Sequence, residues 1–139
     1  MTYWYLASPY SKYPHGLGAA FSLACREAGR LMKARIPVFS PIAHTHPIAG
    51  MCAIDPLAHE FWMATDKPMM DAARGLIMLQ ADGWWESKGM QIELETFRAA
   101  GKPVTWMVPG YGFFELKERA SEPHPRAVEE LEHRWWRAR

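Results

Sequence analysis

Three glutamates lie within the stretch WWESKGMQIELE, at Glu86, Glu93 and Glu95. A carboxylate beside a ligand can act as a nucleophile or as a general base. The stretch predicts a loop followed by a helix, in which successive side chains are about 100° apart. With Met90 set at zero, Glu93 falls at about 300°, on the shoulder of the apolar face, whereas Glu95 falls at about 140°, on the far side.

The three glutamates therefore differ in how much free energy it takes to keep a charged carboxylate at each position. Glu95 is expected to be a solvated surface charge, and Glu86 to be a loop carboxylate that the helix dipole favours. Glu93 lies where a carboxylate needs a partner, a raised pKa or a pocket. Two interpretations follow from the spacing: Glu93 lines a ligand pocket, or it pairs with a basic side chain at the edge of the sheet.

Histidines form a second group of candidates. His44 and His46 flank Thr45 after the second predicted strand, and two histidines at this spacing need further ligands to bind a metal. His59 lies in AHEFW, which lacks the second histidine of the HExxH motif. The sequence thus predicts no metal site and no cofactor. His44 is expected to contact a ligand or to form hydrogen bonds within its loop.

The loop SPYSKYPHG carries hydroxyl groups, Lys12 and a glycine just before a helix. This composition favours phosphate binding, although it matches neither GxxxxGK[ST] nor GxGxxG. The chain has no GxSxG elbow, so nucleophilic serine chemistry is not indicated. Tyr10 in this loop and the tryptophans at Trp84 and Trp85 are candidates for stacking on an aromatic ligand.

Buried apolar runs alternate with amphipathic segments along the chain. Strands are predicted at 3–7, 37–40, 75–80 and 103–108. Helices are predicted at 17–34, 57–71 and 88–100, the second with a break near Pro68 and the third with a cap at Gly101, while 41–56 is predicted to be a long loop. This order predicts an α/β fold with an open parallel Rossmann- or flavodoxin-like sheet of four to five strands and helices on both faces.

Ligands of such sheets bind at the carboxyl ends of the strands. The segments at those ends are SPYSKYPHG, SPIAHTHP and ADGWWESKG. We therefore expect these three segments to converge on one edge of the sheet.

Composition sets the remaining expectations. The chain has 139 residues, 49% of them hydrophobic and 22% charged, which is typical of a globular domain. We predict an α/β domain at 1–112 and a helical tail at 113–139 that packs on the domain or on a neighbouring subunit. The net charge of +1 gives no electrostatic reason to expect a nucleic acid polymer or an acidic membrane as partner. Two cysteines without a CxxC motif, no leader and no long apolar run favour the cytoplasm.

Several motifs together resemble the nucleoside 2-deoxyribosyltransferase-like family, which includes the deoxynucleoside 5′-monophosphate N-glycosidases. These motifs are YLASPYS, SPIAH, Asp66 ahead of GLIML, and SKGMQIELETFRAAGKPV. The resemblance extends over about residues 3–108. Its most specific part is the spacing of Ser87, Gly89 and Glu93, followed by Gly-Lys-Pro before a strand.

The resemblance implies roles for individual residues. Glu93 matches the nucleophile of the family, and Asp66 matches the aspartate that assists protonation of the leaving base. Ser87 occupies the position that contacts the sugar or phosphate, which is serine in the monophosphate hydrolases and aspartate in the transferases.

Further positions match the lining of the ligand site. Tyr5, Ser8 and Tyr10 match residues that line the sugar and base pocket. The arginine-bearing glycine-rich loop of the hydrolases is replaced here by SPYSKYPHG, so a phosphate would be bound by Ser8, Ser11, Lys12 or Ser87.

The resulting prediction is an enzyme that cleaves the N-glycosidic bond of a nucleoside or a nucleoside 5′-monophosphate. It would release the base or transfer the sugar to a second base without a cofactor, and it would form a homodimer or a larger homo-oligomer. One alternative is a nucleotide sensor on the same fold, in which Glu93 only accepts a hydrogen bond from a sugar hydroxyl. Another is a subunit whose tryptophan-rich tail serves assembly.

Overall fold

The computed structural model describes residues 2–110, which contain a four-stranded sheet with parallel pairing throughout. The strands are β1 (Trp4–Ala7), β2 (Val38–Phe39), β3 (Gly75–Leu79) and β4 (Val104–Met107). Their order in the sheet is β2-β1-β3-β4. Every residue of β1, β3 and β4 is buried, as expected for parallel strands that are covered on both faces. The predicted α/β class and parallel sheet are confirmed.

Four helices flank the sheet: α1 (Leu17–Lys33), α2 (Pro41–Met51), α3 (His59–Ala72) and α4 (Lys88–Ala99). Alternate residues of β1 point to opposite faces. Trp4 and Leu6 pack in the apolar cluster that includes residues of α1, and Tyr5 packs in the cluster that includes residues of α3 and α4. Helices therefore cover both faces, as the sequence predicts.

The prediction of a long loop at 41–56 is wrong, because the first part of this segment forms α2. The Ser40 side chain accepts a hydrogen bond from the backbone N–H of Ala43 and caps the helix, and Pro41 follows at the first helical position. Pro47 lies inside α2 without ending it. The break expected near Pro68 is also absent, since α3 continues through that residue.

Lys102 joins α3 to α4. Its Nζ donates hydrogen bonds to the backbone carbonyls of Met70 at 3.0 Å, Asp71 at 2.5 Å and Ala73 at 2.7 Å. The ammonium also lies 5.6 Å from the centre of the Phe97 ring on α4. The last carbonyls of α3 lack partners within the helix, so this lysine satisfies them and complements the helix dipole.

The strand order places a topological switch between β1 and β3. The chain leaves β1 for β2 on one side and then returns past β1 to form β3 on the other. Segments that follow β1 and β3 therefore diverge above the sheet and leave a crevice, which is the usual ligand position in this class of fold.

Two other predictions concern the C-terminal tail and the absence of a membrane partner. The helical tail predicted at 113–139, including the tryptophans at Trp135 and Trp136, lies outside the described residues. Within residues 2–110, none of the helices has the length and apolar character needed to cross a membrane.

Candidate functional site

A cavity of about 330 Å³ opens at the carboxyl edge of the sheet. All three segments expected to converge there contribute to its lining, and α3 adds a further wall. Seven of the predicted site residues line it: Ser8, Tyr10, Ser11, Asp66, Ser87, Gly89 and Glu93.

Glu93 is the buried carboxyl of this cavity. It lies in the second turn of α4 and is 8% exposed, although it is an ionisable side chain. Within the described part of the chain no lysine, arginine or histidine forms a salt bridge with it. Burial raises the pKa of Glu93 to about 8, the Tyr5 hydroxyl lowers this pKa, and the nearby Asp66 carboxyl raises it. Of the two interpretations drawn from its spacing, the structure agrees with the pocket.

Tyr5 lies behind Glu93 rather than in the wall of the cavity. Its side chain is fully buried, and its ring packs 5.6 Å from that of Phe97 and 5.8 Å from that of Phe39. The hydroxyl has no partner at ordinary hydrogen-bond length among the described residues, yet it lies close enough to Glu93 to act as a hydrogen-bond donor that lowers the pKa of this carboxyl. Tyr5 therefore supports the carboxyl from behind the cavity.

Asp66 brings a second carboxyl to the cavity from α3. Its Oδ1 atom is buried and has no hydrogen-bond partner among residues 2–110. Burial raises the pKa of Asp66 to about 6, while the nearby His44 and His59 side chains lower it. Two carboxyls with different pKa values thus face one cavity, and near pH 7 the free site holds its proton on Glu93 while Asp66 is ionised.

The N-terminus of α4 forms the part of the cavity that favours negative charge. The Ser87 hydroxyl accepts a hydrogen bond from the backbone N–H of Met90 at 3.3 Å and caps the helix. Because the hydroxyl accepts this bond, its own proton stays available to a ligand. Gly89 leaves room beside the His59 ring, to which an added Cβ would come within 3.8 Å.

Other predicted site residues lie outside the cavity lining. Lys12 is exposed, and its backbone carbonyl packs closely on Gly83, where an added Cβ would lie 2.2 Å from that oxygen. His44 is exposed on α2, with its ring 5.7 Å from that of Phe39, and reaches the site only through its charge near Asp66.

Trp84 does not line the cavity either. It is 7% exposed and packs in the core, where its ring lies 5.8 Å from that of Trp106. Its indole is therefore a core side chain in this conformation, and the stacking role expected for it finds no support. The neighbouring Trp85 is half exposed but is likewise absent from the lining.

Sequence reasoning missed several lining residues on α2 and α3. They are Thr45, His59, Trp62 and Met63, joined by the apolar residues Pro41, Ile42 and Leu57. His59 was considered only as a failed metal motif, and its position at the first turn of α3 gave a weak signal. Within residues 2–110, no group of three or more His, Cys, Asp or Glu side chains is arranged to hold a metal ion.

The fold and the cavity define a parallel α/β protein with a carboxyl-containing site at its topological switch point. The chain belongs to the family described as a domain of unknown function, DUF1937, which matches residues 2–108. The match covers the whole sheet and all residues that line the cavity. No curated protein matches the chain.

Proposed function

We propose that this protein cleaves the N-glycosidic bond of a nucleoside or a nucleoside 5′-monophosphate, with Glu93 as the nucleophile. The observation that carries the proposal is the placement of two carboxyls, Glu93 and Asp66, in one cavity with no pairing cation among the described residues. A buried carboxyl without a cation is costly to the fold, so its retention favours a chemical role. The resemblance of the SKGMQIE motif selects the same residue.

The proposed reaction proceeds in two steps. The Glu93 carboxylate attacks the anomeric carbon, forming a carbon–oxygen bond as the carbon–nitrogen bond to the base breaks. The base leaves with the electron pair of that bond and takes a proton from Asp66. Water then attacks the anomeric carbon, releases the Glu93 carboxylate, and returns a proton to Asp66. A second base in place of water gives sugar transfer.

The pKa values of Glu93 and Asp66 imply that the two carboxyls share one proton near neutral pH. Between about pH 6 and pH 8 the free site holds one proton, mainly on Glu93. Catalysis needs that proton on Asp66, so a bound ligand has to stabilise the Glu93 carboxylate. The partial positive charge that develops on the sugar carbon provides this stabilisation, because it lies beside the attacking oxygen.

Ser87 and the N-terminus of α4 are suited to the polar end of the ligand. A hydroxyl and backbone N–H groups donate hydrogen bonds to a phosphate or to a sugar oxygen. Ser87→Asp keeps a capping side chain but adds negative charge. If the substrate is a monophosphate, this variant should raise the KM for the monophosphate at least about tenfold and leave that for the nucleoside nearly unchanged.

The decisive experiment incubates the full chain with ribo- and deoxyribonucleosides and their 5′-monophosphates. Free base is measured by chromatography, with and without an added second base. Release of base without an acceptor indicates hydrolysis, and a new nucleoside in its presence indicates transfer. If none of the compounds is cleaved over hours at micromolar enzyme, the proposal of catalysis is wrong.

One observation favours a second function, a non-catalytic nucleotide sensor. A Glu93 carboxyl that is protonated at neutral pH can donate a hydrogen bond to a ligand instead of attacking it. In that case a nucleotide would raise the melting temperature and be recovered intact, and Glu93→Gln would retain much of the binding because the amide can also donate.

A further inference from the structure

A tyrosine and a histidine form a hydrogen-bonded pair at the side of the cavity. Tyr10, in the loop after β1, lines the cavity, and its hydroxyl lies 2.5 Å from Nδ1 of His46 on α2. The His46 ring is stacked on Phe21 of α1 at 4.7 Å with 22° between the planes. His46 itself does not line the cavity, so it can act on a ligand only through Tyr10.

The direction of this hydrogen bond decides what Tyr10 offers to a ligand. A phenol O–H is a stronger donor than a neutral imidazole N–H, and an imidazole nitrogen is a stronger acceptor than a phenol oxygen. Burial raises the pKa of Tyr10, so its hydroxyl keeps its single proton. That proton is directed to His46, which leaves the lone pairs of the oxygen free to accept a hydrogen bond.

We propose that His46 is a positioning residue that fixes Tyr10 as a hydrogen-bond acceptor in the cavity. This wall then selects a ligand group that donates, such as a sugar hydroxyl or an exocyclic amino group. The identity of that ligand as a nucleoside or nucleotide rests on the proposed function. The direction of the hydrogen bond does not.

The neighbouring Ser8 hydroxyl supports a polar ligand on this wall. Ser8 is 4% exposed, lines the cavity, and its Oγ has no hydrogen-bond partner within residues 2–110. A buried hydroxyl without a partner costs stability unless a ligand or water completes it. Unlike Tyr10, Ser8 can donate as well as accept, so only Tyr10 imposes a direction.

Nitrogen NMR of the full chain tests the pair without reference to activity. The spectrum of His46 should be recorded at about pH 8, where an ordinary histidine is neutral. We expect protonated Nε2 and unprotonated Nδ1, with the Nδ1 signal moving when Tyr10 is replaced by Phe. A protonated Nδ1, or a signal that Tyr10→Phe leaves in place, would overturn the assigned direction.

A double-mutant cycle tests the consequence for the ligand. Tyr10→Phe removes only the hydroxyl, and His46→Phe keeps a ring to stack on Phe21. We expect KM to rise about fivefold in the first variant and about threefold in the second, with kcat little changed. The double variant should be no worse than Tyr10→Phe alone, because both changes remove one interaction. Additive effects would contradict the positioning role.

The same loop offers a matched control. Tyr13 and His15 have rings in contact at 5.3 Å but form no side-chain hydrogen bond within the described residues. Tyr13→Phe and His15→Phe should leave KM unchanged.

Modified substrates test the donor on the ligand. When the ligand hydroxyl that donates to Tyr10 is methylated, or when the donating amino group is dimethylated, the KM for that substrate should no longer change with Tyr10→Phe. If the wild type neither binds nor cleaves a nucleoside or nucleotide, the proposed function fails. The NMR result still decides the direction of the hydrogen bond between Tyr10 and His46.

Discussion

Two buried glutamates on opposite faces of the sheet have different surroundings. Glu27 on α1 is 2% exposed, accepts a hydrogen bond from the Gly110 backbone N–H at 3.3 Å, and pairs with Arg30 at 3.5 Å. Burial raises its pKa, and Gly110, Arg30 and Arg26 all lower it. Glu93 is similarly buried but faces a cavity, with a second carboxyl nearby in place of a cation.

The difference shows that burial of a carboxyl is not by itself a sign of function. What separates the two is the set of partners: Glu27 has a backbone donor and cations, whereas Glu93 has a tyrosine hydroxyl and an aspartate. A partnered carboxyl is expected to stabilise a local structure. One that lacks compensation is expected to interact with something that binds.

The largest expected effect is on activity. Glu93→Gln should lower base release by at least about 1000-fold, because the amide cannot form the glycosyl intermediate. Glu27→Gln makes the same chemical change at the other buried position and should alter the rate less than about twofold. The comparison breaks if the two variants lose activity together, or if Glu93→Gln turns over at the wild-type rate.

Asp66→Asn should have the next largest effect. Loss of the proposed proton donor should lower turnover about 100-fold. In the wild type kcat/KM should be highest between about pH 6 and pH 8, where the free site holds one proton, and it should fall above about pH 8 as that proton is lost. Asp66→Asn leaves only Glu93 to ionise, so its residual kcat/KM should rise with pH to a plateau that begins below about pH 8, because the charge that raises the pKa of Glu93 is gone. A fall above pH 8 that persists in Asp66→Asn would contradict the role of Asp66 as the acid.

Stability should also depend on pH through Glu93. Its folded pKa of about 8 exceeds the ordinary value of 4.5, so the folded state holds the proton that the unfolded state releases. Between about pH 4.5 and pH 8 the wild type should therefore lose stability as pH rises. Glu93→Gln should melt higher than the wild type at pH 8, by on the order of 5 °C, and at nearly the same temperature near pH 4. A variant that melts lower at pH 8 would argue for a compensating partner.

The smallest expected effect concerns the cation beside Glu27. The Arg30 side chain is 47% exposed, so its ion pair is screened by water. Arg30→Met should change the free energy of unfolding by no more than about 0.5 kcal/mol in a denaturant titration. A loss of 2 kcal/mol or more would show that the cation, rather than the Gly110 N–H, is the main partner of Glu27.

The strands and three of the four helices were predictable because their apolar patterns are strong. Glu93 was placed correctly from helical geometry, since the same spacing that buries Met90 and Phe97 brings its side chain to their edge. The helix α2 was not predicted, because Pro47 lies inside it and it has no apolar stripe. Only the pair Ser40–Pro41 indicates its start.

The cavity wall was harder to predict than the carboxyl it contains. Thr45 and Trp62 reach the cavity only because α2 and α3 pack above the strand ends, and that packing depends on contacts distant in sequence. Trp84 was expected to stack on a ligand because it is aromatic and lies in the segment after a strand, yet the apolar cluster with Trp106 holds it in the core. Local patterns therefore predict single elements better than the surfaces between them.

The attachment of α3 has a consequence for how a ligand enters. Its last turn is held by Lys102 and by the Tyr3 hydroxyl, which donates to the Met69 carbonyl at 2.6 Å, whereas Met70 is its only fully buried residue. Hydrogen exchange should therefore be slow at the end of α3 and faster at its beginning, near His59. A wall anchored at one end can open at the other without disturbing the sheet, so the energetic barrier to entry would be set by the first turns of one helix.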